Sequence, residues 1–286
     1  MNLVAPLLCL ALYAMAFMVL WQNARRVALA SPQMTVDSVS TTTPSAALHP
    51  TSELNLAVPA LLSLAALCAH AWLTWHMLTT PAALNLGLVP AINLITLLMN
   101  AVVLGATLRM PVANLNLLLY PMAMAALLAA LLDSSASTPL AVTAPMALHI
   151  LLSLTAYCVL MMAACQAVLL AMQENNLKTR NLRWLRILPP LESMERLFVS
   201  MLWLGMLLLS GAIASGFIFL ENMFDQRVVH HTVLTCVSWL VYAAFLYGRY
   251  RYGWRGMTSV RWTSLAFALL VLGYLGSKFV VEYLLS

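Results

Sequence analysis

Two imidazoles stand inside long apolar runs of this 286-residue chain, His70 in LSLAALCAHAWLTWHML and His149 in ALHILLSLTAY. A neutral imidazole carries one N–H and one lone pair, so in hydrocarbon it must hydrogen-bond a neighbouring segment or coordinate a metal. Along the second run His149, Ser153 and Tyr157 recur at every fourth position and share one helical face. Ser153 or Tyr157 can therefore orient the imidazole and support what it binds, or simply bond the next helix. His76, His230 and His231 lie at the wet ends of apolar runs and read as hydrated. His49, in a polar segment without other ligand types nearby, reads as solvated.

Other chemistry has little to work with. There is no HExxH, GxSxG or Walker-type loop. No Asp or Glu falls in the middle of an apolar run, which argues against a carboxylate relay for proton-coupled transport. The five cysteines sit within apolar runs and form no CxxC, so they read as small packing residues. The polar segments are too short for a soluble catalytic domain, and the sequence predicts a non-enzymatic protein.

The elements that position these residues are apolar stretches near 3–22, 55–77, 88–108, 113–132, 145–172, 197–220, 231–248 and 262–284. Each suffices to cross roughly 30 Å of hydrocarbon. With 63% hydrophobic and 8% charged residues, the chain is expected to be an all-α polytopic membrane bundle of about eight transmembrane helices. The first stretch has no basic n-region and reads as a retained helix. The fifth is too long for a perpendicular crossing and must tilt or extend beyond the hydrocarbon.

Twelve of the fourteen Lys and Arg residues fall in every second gap, after stretches one, three, five and seven. By the positive-inside rule those loops are cytoplasmic and both termini lie on the opposite, periplasmic side. The net charge of +5 then reports orientation and does not point to nucleic acid. Residues 1–144 are expected to form an N-terminal four-helix half with a flexible Ser/Thr/Pro-rich cytoplasmic loop at 31–54, and residues 145–286 a C-terminal four-helix half. In the basic segment 173–196, Leu182, Leu185 and Ile187 interleave with Arg183, Trp184 and Arg186, as in a short surface helix that anchors the chain or docks a cytoplasmic partner. Asn93 and Asn100 read as interhelical glue.

Depth then groups the histidines. At 1.5 Å per residue, His70 lies about 10 Å and His149 about 6 Å below the same outer surface. Neutral imidazole is a common axial ligand of haem iron, so a bis-histidine haem site between spans two and five is one reading, and interhelical hydrogen bonding is the other. Lys278, one turn from Glu282, can snorkel to the surface or neutralise a haem propionate.

The run ALHILLSLTAY, the segment LPPLESMERL at 188–197, the glycine-containing LWLGMLLLSGAIASGFIF and SWLVYAAFLYGRYRYGWRG at 238–256 resemble, in this order, the cytochrome c assembly family of CcsA/CcmC type, in particular its YpjD-like inner-membrane branch. The resemblance implies a multi-span protein that binds haem on the outer face, with His149 matching the family's histidine at the start of the corresponding helix. It also implies cytochrome assembly proteins or other inner-membrane proteins as partners, beside haem and membrane lipid. The tryptophan-rich loop of the haem-delivering members is replaced by LENMFDQRVVHH, and Tyr247 stands where they carry a histidine before the ArgxxxGlyTrpArgGly run. The expectation is a haem-binding protein holding its cofactor through His149 and His70, with Ser153, Tyr157 and Lys278 in support. The alternative is a non-enzymatic accessory subunit or scaffold that keeps the fold without haem delivery.

Overall fold

A computed structural model describes residues 4–29, 57–79, 84–108, 112–133, 143–179, 188–219, 229–276 and 279. Its elements are α1 (Val4–Leu29), α2 (Ala57–Leu78), α3 (Leu88–Thr107), α4 (Asn116–Leu132), α5 (Ala144–Lys178), α6 (Leu191–Phe219), α7 (Val229–Tyr252) and α8 (Met257–Val271). A single 3-10 turn precedes α4, and a π-helical turn, Leu272–Gly276, continues α8. Eight helices are long and apolar enough to cross a membrane, matching the eight stretches read from composition. Among the described residues there is no β-strand, which is what hydrocarbon demands of an open chain, since a helix alone satisfies its backbone internally.

Two helices begin earlier than hydropathy implies. α6 starts directly after the Pro189-Pro190 break, and α8 directly after Gly256, so each carries a polar first turn below its apolar length. Those turns do structural work at the end of the bundle where the cations gather. Glu195 of α6 receives Arg249 of α7 at 2.8 Å, with both side chains largely buried, and Arg255 approaches the same oxygen at 3.6 Å. Arg249 also donates to the carbonyl of Trp254, whose indole stacks on Trp262 with ring centroids 5.2 Å apart. Gly248 passes so close beneath the Trp254 ring that a Cβ there would lie 2.5 Å from it. We refer to this as the basic end.

α5 has 35 residues, about 52 Å at 1.5 Å per residue, and its last turns run out past the apolar region at the basic end, where Lys178 bonds Glu174 at 2.8 Å. The interior divides into two apolar clusters. One joins α1, α2 and α4 around Cys9, Tyr13, Ala66, Leu73, Tyr120 and Leu127. The other, larger one gathers α5 to α8 and also takes Ile95, Met99 and Val103 of α3 and Leu119 of α4. α3 and α4 thus bridge the two clusters.

Candidate functional site

His149 is the sixth residue of α5, whose start is set by Thr143 in extended conformation and by Pro145 in the first turn, where a missing N–H costs nothing. α6 returns antiparallel beside it and brings Ala212 and Ser215 level with the imidazole. Nδ1 of His149 lies 3.0 Å from the carbonyl oxygen of Ala212 and 3.1 Å from Oγ of Ser215. A carbonyl only accepts, and Ser215 already donates its own proton to Ala212 at 2.9 Å. The proton between ring and backbone therefore sits on Nδ1, and the lone pair sits on Nε2. Among the described residues Nε2 has no hydrogen-bond partner. An imidazole held through Nδ1–H by a backbone carbonyl, with its other nitrogen open, is prepared as a metal ligand.

α7 adds His231 from its first turn. The ring is half-buried and lies 5.9 Å from that of Tyr274. Tyr274 lies in the π-helical turn and packs 5.3 Å from Tyr157. Such turns are concentrated at functional sites because they re-aim a side chain within an otherwise regular helix. Tyr157 donates its hydroxyl to the carbonyl of Leu270 at 2.9 Å, so it braces α5 against α8 and has no proton left for a ligand. Ser153 is half-buried one turn along from His149. Leu148, Leu151 and Val233, within two positions of the histidines in sequence, expose apolar surface.

His70 is used differently. It is fully buried on α2, with Nε2 3.3 Å from Oδ1 of Asn93 and Nδ1 3.3 Å from the hydroxyl of Tyr13. The amide of Asn93 donates to the carbonyls of Val89 and Ala126, at 3.0 and 3.1 Å, which leaves its oxygen to accept. Nε2 of His70 therefore carries the proton, and Tyr13 donates to Nδ1. Both nitrogens are consumed, and four helices are tied together: α1 through Tyr13, α2 through His70, α3 through Asn93 and α4 through the carbonyl of Ala126. Tyr120 and Ser63 add a second short hydrogen bond between α4 and α2 beside it. The structure does not bring His70 and His149 to one site; they bond different helices in different halves.

The family model described as Cytochrome C assembly protein matches residues 58–285, from the first turn of α2 onward. The chain belongs to the cytochrome c assembly protein family. It is 35% identical over 159 residues to Inner membrane protein YpjD of Escherichia coli strain K12, covering 56% of this chain and 60% of the relative, and equally so to the protein of that name in Escherichia coli O157:H7. A protein of Azospirillum brasilense described as an uncharacterized 28.8 kDa protein in the nifR3-like 5' region is 34% identical over 142 residues, 49% of this chain and 52% of the relative. The matches thus span between half and two thirds of these relatives' length. No solved structure matches the chain.

Within this cytochrome c assembly protein the other sequence candidates fall out as follows. His76 is exposed and lies edge-on to Trp72 with centroids 4.5 Å apart, and His230 is exposed. Lys278, His49, the loop 31–54 and the Arg183–Arg186 segment lie outside the described residues. Among the described residues no group of three or more His, Cys, Asp or Glu converges on one point. Ala212 and Ser215, the partners of His149, were not singled out from the sequence. The one local signal was the small-residue run GAIASG, which lets α6 approach α5 closely enough for a backbone carbonyl to be reached.

Proposed function

We propose that this protein binds haem at the end of the bundle opposite the basic one, where His149, through Nε2, and His231 would hold it. The observation that carries the reading is the bond from Nδ1 of His149 to Ala212, which directs a lone pair outward from a half-buried ring. Leu148, Leu151 and Val233 supply apolar surface for a macrocycle, and Tyr274 holds His231 in place. Haem, when bound, supplies an iron centre able to accept these imidazoles; the chain's own part is to fix their tautomer, spacing and apolar surroundings. His70 is outside the set because both its nitrogens are already bonded.

In this reading the basic end faces the cytoplasm, by the positive-inside rule, and the histidines face the opposite side of a bacterial inner membrane. In this reading the protein is non-enzymatic and serves cytochrome or other haem-protein assembly, in keeping with its family, and the relative's printed name, an inner membrane protein, fits the location. The test is purification from haem-replete membranes. A Soret band with haem near stoichiometric with chain is expected, lost in His149→Gly, restored there by added imidazole, and retained in His70→Ala. Haem-free wild-type protein, or a spectrum unchanged in His149→Gly, refutes the assignment and leaves the scaffold reading.

A further inference from the structure

Five of the eight buried side-chain atoms that lack a hydrogen-bond partner among the described residues lie where α8 packs against α5 and α7; Thr235 Oγ1 is near Gly273, and the other four fall toward the basic end: Gln173 Oε1, Tyr242 OH, Ser259 Oγ and Thr263 Oγ1. Tyr242, Ser259 and Thr263 are wholly inaccessible, and Gln173 is 4% exposed. The register of the helices puts them in a row. Ser238 of α7 donates to the carbonyl of Ala266 of α8 at 2.6 Å, and the two helices run antiparallel. One turn nearer the basic end, Tyr242 therefore stands opposite Thr263. On the other flank, the bond from Tyr157 to Leu270 and the close approach of the Glu174 carboxylate to Gly256 fix α5 against α8. That register brings Gln173 level with Ser259. From the basic end inward the order is Gln173, Ser259, Thr263, Tyr242. Ser238, Tyr157, Tyr274 and His231 follow toward the opposite end.

A buried polar atom without a partner costs its full desolvation penalty, and natural interiors hold few of them. Four in one row call for a small ligand that both donates and accepts. A hydroxyl, a phenol and an amide oxygen share one such partner, water, which occupies polar interiors wherever two to four groups can bind it. Gln173 lies in the final turns of α5, where the helix passes out of the apolar region, and so provides the way in.

We propose that the seam between α5, α7 and α8 holds a file of bound water that runs from the basic end to Tyr242 and gives solvent a route toward the polar strip beneath His231 and His149. The file is a property of the seam and stands whether or not haem binds. It is tested on the full chain in lipid nanodiscs by pulsed X-ray hydroxyl-radical footprinting with mass spectrometry. Radicals form from water, so Tyr242 is expected to be oxidised several-fold faster than Tyr13, which is equally inaccessible but has its hydroxyl bonded to His70. Equal rates for the two tyrosines overturn the proposal. Thr263→Val provides a second arm. With water bound, losing the hydroxyl lowers both the melting temperature and the oxidation of Tyr242. In a dry seam the same change removes an unpartnered group and raises the melting temperature, which also overturns the proposal. If Thr263→Val does not fold, Ser259→Ala, the loss of one oxygen, takes its place with the same two outcomes.

Discussion

In the N-terminal half His70 gives both ring nitrogens to the protein, one to Tyr13 and one to Asn93, and has no accessible surface. In the C-terminal half His149 gives one nitrogen to Ala212 and Ser215 and keeps a half-buried ring with the other open. Both sit in helices that pack closely and both are neutral imidazoles in apolar runs, so hydropathy cannot separate them. The difference lies in what the neighbouring helix presents. Asn93 and Tyr13 offer an acceptor and a donor, which close the ring. Ala212 and Ser215 offer only acceptors, which orient the ring and leave the lone pair to something that is not protein. A buried imidazole is therefore glue or ligand according to how many complementary partners surround it.

That contrast breaks most sharply under substitution. His149→Ala is expected to abolish haem binding, read as loss of the Soret band, with only a small change in melting temperature because one half-buried bond is lost. His70→Ala is expected to do the reverse. It strands Asn93 Oδ1 and Tyr13 OH in a new cavity and should destabilise the protein by about 2–4 kcal/mol in reversible unfolding, with the haem content per folded chain unchanged. If His70→Ala removes haem from a folded protein, the two histidines are not distinct in role.

Smaller changes sharpen the same comparison. Ser215→Ala removes one of two acceptors on Nδ1 and should weaken haem affinity by about tenfold, within the usual range for a group that orients a ligand, as measured by haem titration of the apoprotein. Tyr13→Phe removes the donor to His70 and should cost about 1 kcal/mol of stability without any spectral change. An altered Soret maximum in Tyr13→Phe would tie the N-terminal network to the haem site.

Much of the architecture was readable from local composition. The eight apolar stretches correspond to eight helices, and the length of the fifth appears as a helix running out beyond the apolar region. The early start of α6 is less readable, because its polar first turns include Glu195, whose partner Arg249 is 54 positions away. Of the candidate residues, His149 bonds Ala212 and Ser215 through Nδ1, and Tyr157 spends its hydroxyl on Leu270. The contact of His231 with Tyr274 is not legible in the sequence, because nothing local shows that α7 leans on the π-helical turn of α8.

The sequence by itself determined the number of membrane-length helices and the gathering of cations at alternate gaps. Both follow from short-range physics: a span must be about 20 apolar residues long, and a charge must stay in its loop. Only the tertiary structure decided which histidine is closed and which is open. The partners that settle it are 57 and 23 positions from His70 and 63 and 66 from His149, and an imidazole's proton is assigned by the donors and acceptors that other helices bring to it.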